Sequence, residues 1–348
     1  MQKRKWIQFL FLALGLTLVG LLVRVVGIGN VWEHLARMGW RIAPIFLISA
    51  IWKAINTLAW VQAFPKDVPL PPFYRLYSVS LAGDVVNNLL PTANLGGELT
   101  KPYLLRPWMP MSQSLPAVMA NKTMEILSGL LFVAGGVAVG CLILPLRLGL
   151  RVVLIVAVIL GAAGIISLCL LQRNQPLTRL MKRFERFQLF NRIATSSGDA
   201  IAKVDESLAN FYSQNRRRFW ICLALRFLTW VLGTLEAFLI LRLMDVDVSA
   251  LSAFLLVTLP LLVDSAFFFV PANVGTSEAS QTYVAMLLAL DPVVGLSLAL
   301  VRRFRRIIWV GIGMVLLYGY VPRALSTLSA LAKNDSSEDS KQEDSRLV

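Results

Sequence analysis

The chain alternates between long apolar runs and short polar or basic stretches. A helix needs about 20 residues to cross the hydrocarbon core of a membrane. Runs of roughly that length or longer lie near residues 6–26, 42–63, 115–144, 148–171 and 219–241, and a final run ends near residue 321. The pattern predicts an all-α polytopic membrane protein with about six transmembrane helices.

Helix breakers interrupt two further apolar stretches. The first, at about residues 73–110, breaks at Pro91 and at the pair Gly96–Gly97. The second, at about 251–301, breaks at Pro271. Broken backbone at membrane depth is tolerated only where protein or a water-filled cavity surrounds it. Each stretch is therefore predicted to form a re-entrant hairpin of broken helices.

The two hairpins carry the same polar residues at the same spacing. Each has an aspartate, a proline seven residues later, a glutamate after seven more and a tyrosine after five more: Asp84, Pro91, Glu98 and Tyr103, and Asp264, Pro271, Glu278 and Tyr283. The spans that precede the two hairpins run in opposite directions through the membrane. The spacing therefore predicts an inverted internal repeat, which is typical of secondary transporters whose site lies where the halves meet.

Charge indicates how the chain is oriented and divided. The net charge is +14, and the basic residues lie mainly between apolar runs, which indicates membrane topology and not nucleic-acid binding. The segment 172–218 has ten Lys or Arg and four acids, so it and the N-terminus are predicted to be cytoplasmic. This segment is either an amphipathic helix on the inner leaflet or a plain helical connector. The predicted units are an N-terminal membrane half at 1–171, the linker at 172–218, a C-terminal half at 219–325 and a disordered tail at 326–348.

The arginines at 302–306 conflict with a simple topology. If the second hairpin is re-entrant from outside, these arginines lie on the outer face, against the positive-inside tendency. Either they are partly buried and bind phosphate, or the run at 251–270 crosses the membrane fully and they are cytoplasmic. Both alternatives stay open at this point.

The candidate site consists of polar residues in and near the hairpins. Glu98 either caps the helix that follows Gly97 or faces a cavity that it shares with Glu278, where the two carboxylates hold headgroup hydroxyls or an amine, or carry a proton. Nearby bases would bind a phosphate, and asparagines would bind polyols. The predicted substrate-binding residues are Asp84, Asn88, Asn94, Gly96, Gly97, Glu98, Lys101, Lys122, Glu125, Asp264, Asn273, Glu278 and Arg303.

The sequence gives little support for metal binding or catalysis. The single histidine and three isolated cysteines give no metal-binding spacing and no histidine-based triad, so we expect no metal and no cofactor. Motifs for acyl or phosphoryl transfer are absent from the sequence. An enzyme is therefore not expected.

Four segments resemble a known family: GGELTKPYLLR at 96–106, NKTMEILSG at 121–129, VPANVGTSE at 270–278 and LALVRRFRR at 298–306. The chain is similar to the flippase-like membrane domain of lysylphosphatidylglycerol synthases, and most to the branch associated with hopanoid biosynthesis in bacteria. In the second hairpin it departs from the family, with GTSEAS at 275–280 where Gly-x-Gln-Glu-Gly-Gly is usual. The resemblance implies the bacterial inner membrane and movement of a lipid or lipid-linked molecule between leaflets. Because only about 27 residues follow the last apolar run, synthesis of an aminoacyl lipid is not expected.

The predicted function is transport of a polar-headgroup lipid between the leaflets. The alternative is a non-transporting scaffold or regulatory partner of a lipid-synthesis complex. The expected partners are membrane lipids with anionic or polyol headgroups and, under the alternative, lipid-biosynthesis enzymes. No nucleic-acid partner is expected.

Overall fold

The structure, a computed structural model, describes residues 39–66, 68–89, 96–173, 204–213, 216–267, 273 and 275–344, with side chains as far as Tyr320. All regular structure in these ranges is helical. Several predictions fall outside the described residues: the span at 6–26, Pro91, Asn94, Pro271 and most of the basic linker.

The helices follow the hydrophobic pattern closely. A 3₁₀ turn at Gly39–Ile42 leads into the first of them. Their bounds are α1 Ala43–Ala63, α2 Phe73–Leu89, α3 Gly96–Leu105, α4 Met111–Ile143, α5 Leu148–Arg173, α6 Arg216–Leu243, α7 Ala250–Ala266, α8 Thr276–Leu287 and α9 Pro292–Asp344. A further helical segment, at 204–213, precedes α6.

In the described part of the chain, four helices are long and apolar enough to cross a membrane. They are Ala43–Ala63, Met111–Ile143, Leu148–Gln172 and Arg216–Leu243, which correspond to the second to fifth predicted spans. With 17 residues each, α2 and α7 reach only about 25 Å, which is shorter than the roughly 30 Å hydrocarbon core. The protein is therefore a multi-pass helical membrane protein.

Each broken stretch folds as a pair of packed helices. In the first, α2 packs against α3, and in the second, α7 packs against α8. Each pair also reaches across the molecule, because α2 packs against α9 and α7 packs against α4. The helices α1 and α6 pack extensively against one another between the two pairs.

Two apolar cores lie on either side of a polar layer. One core surrounds the first helix pair and includes Trp60, Leu105 and Met124. The other surrounds the second pair and includes Leu256 and Leu298. Because α1, α4 and α6 contribute to both cores, their middle turns lie between the cores and carry the charged side chains.

The last helix continues through the predicted tail. The backbone of α9 is helical to Asp344, and disorder of the tail at 326–348 stays a prediction. After Pro322 the chain has neither glycine nor proline to end the helix, and its alanines, leucines and lysines are compatible with helical backbone.

Close contact between α4 and α7 depends on Gly136. A Cβ atom at this position would lie 2.2 Å from Thr258 Oγ1 and 2.4 Å from Thr258 Cβ. Replacing this glycine would therefore force the two helices apart.

We expect Gly136→Ala to lower the free energy of unfolding by about 1–3 kcal/mol, because overpacking a helix interface shifts backbone and side chains. The measurement is the thermal midpoint of the purified protein in detergent. Gly164→Ala in α5 is the matched control, since no atom lies within 4 Å of the added methyl group. Equal midpoints for the two variants would contradict the close packing of α4 against α7.

Candidate functional site

A polar cavity of about 340 Å³ lies in the layer between the two apolar cores. Its walls come from α1, α2, α3, α4, α6, α7 and α9, so both halves of the chain contribute. Most of its lining side chains are charged or hydrogen-bonding, and we call it the central cavity.

The helix α1 contributes Lys53, which lies in the middle of the helix. Its Nζ atom lies 2.9 Å from Asp84 Oδ2 on α2. The same ammonium group lies 4.9 Å from the ring centre of Trp52 and 5.5 Å from that of Trp309. The pair and the two rings compensate for the loss of water around the buried cation.

The first helix pair is held together by Asn87. Its Oδ1 atom accepts a hydrogen bond of 2.7 Å from the amide of Gly97, and its Nδ2 atom donates to Glu98 Oε1 at 3.3 Å. A Cβ at Gly97 would lie 2.1 Å from the carbonyl oxygen of Gly83, so only glycine permits this approach. Asn87 therefore accepts the hydrogen of an amide in the first turn of α3.

Glu98 lines the central cavity and is paired with Lys101. Both carboxylate oxygens of Glu98 lie 3.0 Å from Lys101 Nζ. Glu98 is 8% exposed and Lys101 is 5% exposed, so this ion pair is buried within protein. A buried pair of this kind is costly to break on one side only.

Arg226 on α6 joins three helices. Its guanidinium donates to Asn121 Oδ1 on α4 at 3.0 Å and to Asn56 Oδ1 on α1 at 2.8 Å. It also lies 3.3 Å from Glu125 Oε2 on α4, and the other oxygen of Glu125 lies 2.8 Å from Lys122 Nζ. The planar fork of arginine suits several acceptors held in different directions.

Cations outnumber carboxylates in the lining of the central cavity. Six side chains are basic and four are acidic: Lys53, Lys101, Lys122, Arg226, Arg302 and Arg305, and Asp84, Glu98, Glu125 and Glu236. Arg305 is paired with Glu236. Arg302 makes no hydrogen bond or ion pair with any residue that the structure describes. The cavity therefore favours an anionic ligand.

A second cavity, of about 150 Å³, adjoins the central one. It is lined by Asp264, Ser277, Gln281 and the arginines at 302, 303, 305 and 306. The two cavities share four lining residues: Trp230, Val257, Arg302 and Arg305. Arg303 and Arg305 are only 4% and 9% exposed. These two arginines, which belong to the segment that conflicts with the positive-inside tendency, therefore lie inside the protein.

The structure brings together most of the predicted site residues. Six of them line the central cavity: Asp84, Asn88, Glu98, Lys101, Lys122 and Glu125. Asp264 and Arg303 line the second cavity. Asn273 contributes its backbone carbonyl, which accepts a hydrogen bond of 3.2 Å from Arg303, and Gly96 begins α3 beside the central cavity.

The shared cavity expected for Glu98 and Glu278 is not found among the described residues. Glu278 is absent from the lining of both cavities. Its carboxylate accepts a hydrogen bond of 2.8 Å from the amide of Gly275 and lies 2.6 Å from Arg303 Nη2. Both glutamates are the third residue of their helices, and Glu278 caps the start of α8 through its bond with the amide of Gly275.

Sequence reasoning assigned no ligand role to several residues of the central cavity. The residues at 226, 229, 230, 233 and 236 of α6 all line it, and so do those at 53, 56 and 57 of α1. Their spacing is that of one helical face. Charged and polar residues repeating on one face inside an apolar span were the signal that could have identified them.

We found no group of three or more potential metal ligands among the described His, Cys, Asp and Glu residues. The lining groups are instead suited to binding an anion by hydrogen bonds and charge.

We expect Arg226→Lys to lower the free energy of unfolding by about 1–3 kcal/mol, because an ammonium cannot reach acceptors on α1 and α4 together and leaves buried amide oxygens unpaired. The thermal midpoint in detergent measures the loss. Arg242→Lys is the control, since its pair with Asp247 is exposed and should change stability by less than about 1 kcal/mol. Equal effects of the two substitutions would contradict the joining role of Arg226.

Comparison with known proteins identifies the family. No curated protein and no solved structure matches the chain. The family model described as "Lysylphosphatidylglycerol synthase TM region" matches residues 7–313, which include α1 to α8 and the first part of α9. The chain therefore belongs to the lysylphosphatidylglycerol synthase transmembrane-region family.

Proposed function

We propose that this protein moves a polar-headgroup lipid between the leaflets of the bacterial inner membrane. The family links the chain to membrane proteins that handle lipids. The observation that carries the proposal is the central cavity, which places a polar, net cationic space between two apolar cores of a membrane protein. A lipid headgroup needs such a space to pass the hydrocarbon core.

The inverted repeat supports alternating access to this cavity. Glu98 is the third residue of α3, and Glu278 is the third residue of α8. Lys122 is the twelfth residue of α4, and Arg303 is the twelfth residue of α9. The packing of α2 against α9 corresponds to that of α7 against α4. Two related halves that rock about a shared site are the usual arrangement of secondary transporters.

The lining fits a headgroup that is anionic and able to form hydrogen bonds. Arg302 offers a guanidinium without an internal ion pair in the described structure, and the amides of Asn87 and Asn88 offer donors and acceptors for hydroxyl groups. The Glu98–Lys101 pair lines the same cavity. An incoming anionic headgroup can replace Glu98 as the partner of Lys101. The acyl chains would stay among the apolar helices. The proposal requires no covalent step.

Glu98→Gln should lower the rate of leaflet exchange in liposomes at least about tenfold, because a neutral amide leaves Lys101 free to hold an anionic headgroup too tightly or in the wrong position. The measurement is the exchange of a labelled phospholipid catalysed by the purified protein. Glu206→Gln, at an exposed position outside both cavities, is the isosteric control and should exchange at the wild-type rate.

Wild-type exchange by the folded Glu98→Gln variant would contradict a role for this carboxylate in transport. Absence of exchange from the wild-type protein itself, together with co-purification of a lipid-synthesis enzyme, would favour the scaffold alternative.

Glu278→Gln should act mainly on stability. It leaves Arg303, a 4% exposed arginine, without its carboxylate, which costs about 3 kcal/mol. The thermal midpoint in detergent should therefore fall more for Glu278→Gln than for Glu206→Gln. An unchanged midpoint with lost exchange would mean that Glu278 contacts the substrate directly.

A further inference from the structure

The second cavity contains buried polar atoms that lack partners. Two are donors, Nη1 of Arg303 and Nε of Arg305, and two are acceptors, Oδ1 of Asp264 and Oε1 of Gln281. None of the four has a hydrogen-bond partner among the described residues. Unpaired buried groups are uncommon in native proteins, and each requires an explanation.

Three of these side chains cannot turn outward to find water. Arg303 and Gln281 are each 4% exposed, and Arg305 is 9% exposed. Each is also tethered by other bonds: Arg303 to Glu278, Arg305 to Glu236, and Gln281 Nε2 to Ser277 Oγ at 3.3 Å. The unpaired atoms of these three side chains are therefore held in place at the cavity wall, where the half-buried Asp264 joins them.

A complementary ligand must offer both kinds of partner. The two guanidinium donors require an anionic acceptor, for which phosphate oxygens are well suited. The carboxylate of Asp264 and the amide oxygen of Gln281 require donors, which a bare phosphate diester lacks and a hydroxyl group supplies. A simple anion would satisfy the arginines and leave Asp264 facing a like charge.

The charge around the cavity also limits the ligand. Four arginines line it, at 302, 303, 305 and 306. Three carboxylates are nearby, because Asp264 lines the cavity while Glu236 and Glu278 pair with two of the arginines. Arg302 has no ion pair with any described residue, so its positive charge suits a phosphodiester, which carries a single negative charge.

We propose that the second cavity is a binding subsite for a phosphate ester that also carries free hydroxyl groups. Arg303 and Arg305 bind the phosphate oxygens, and Asp264 and Gln281 accept the hydroxyl protons. Arg302 lines both cavities, so it is placed to contact the phosphate in either one. The assignment of this group to a transported lipid rests on the proposed function, but the subsite can be tested by binding alone.

The volume agrees with this chemistry. At about 30 Å³ for each water molecule, 150 Å³ holds roughly five waters, or a phosphate group and part of a neighbouring polyol. The rest of the ligand would extend past Arg302 into the central cavity, which is more than twice as large.

The test is calorimetric titration of the full-length protein in detergent with three soluble probes. These are glycerophosphoglycerol, which has a phosphodiester and hydroxyls, dimethyl phosphate, which has only the diester, and glycerol, which has only hydroxyls. We expect glycerophosphoglycerol to bind about tenfold more tightly than dimethyl phosphate, and glycerol to bind least. Equal binding of the two diesters, or no binding of any probe by folded protein, would overturn the proposal.

Asp264→Ala removes the proposed hydroxyl acceptor together with its charge. It breaks no hydrogen bond of Asp264 Oδ1, and it takes a negative charge out of the cavity. Binding of dimethyl phosphate should therefore become tighter, while the preference for glycerophosphoglycerol falls to within about twofold. Ser265→Ala, on the same helix, is the control, because its exposed hydroxyl donates to the Leu261 carbonyl of its own helix. A preference that survives in the Asp264→Ala variant would overturn the role of Asp264.

Arg302→Gln tests the anion contact without breaking an internal pair. Both diester probes should bind about tenfold more weakly to this variant, with their ratio unchanged. Undiminished binding would contradict the role of the shared arginine.

Two further arms distinguish the source of the phosphate. Inorganic phosphate that binds as tightly as glycerophosphoglycerol would indicate a free-phosphate site and overturn the hydroxyl requirement. Retention of phosphatidylglycerol in preference to phosphatidylcholine in mixed nanodiscs, observed by native mass spectrometry, would support a lipid source. If the protein does not exchange lipid but still binds the probes selectively, the proposed function is wrong and the subsite is supported. If it exchanges lipid but does not bind the probes selectively, the subsite is wrong and the proposed function is supported.

Discussion

Pairing of buried charge is the constraint on which the rest of this structure depends. The middle turns of α1, α4 and α6 carry charged side chains between two apolar cores, where an unpaired charge would cost several kcal/mol. Arg226 meets this constraint most completely, since it binds Asn56, Asn121 and Glu125 on two other helices. The same pairing that stabilises the bundle also creates a polar space within it.

The two helix pairs solve a common problem in different ways. At the first, Asn87 accepts a hydrogen bond from the Gly97 amide, and Glu98 lines the central cavity with Lys101. At the second, Glu278 satisfies the helix end itself and pairs with Arg303, so Asp264 and Gln281 face a cavity of their own. The repeat thus gives one sequence pattern two chemical outcomes, with Arg302 between them.

Hydropathy and helix breakers predicted the fold class, four spans within the described part and the two broken stretches. They could do so because span length and backbone interruption are local properties of the chain. They could not give the rotation of each helix, which packing against neighbours determines. The predicted site residues therefore omitted Lys53 and Arg226, and they placed Glu278 in a cavity shared with Glu98 that the described residues do not form. The repeated spacing gives a position along the helix, whereas the bonds of a side chain depend on which groups lie nearby.

The central claim is that the central cavity communicates with both sides of the membrane in turn. It is tested most directly by introducing Thr229→Cys, on the cavity wall, into a protein whose native Cys141, Cys169 and Cys222 are replaced by alanine. A membrane-impermeant thiol reagent is applied to sealed vesicles of either orientation, and Ile159→Cys on the exposed face of α5 is the control. The account predicts modification of the Thr229→Cys variant from each side and of the Ile159→Cys variant from neither. Modification of the Thr229→Cys variant from one side only, whatever the lipid present, would contradict it.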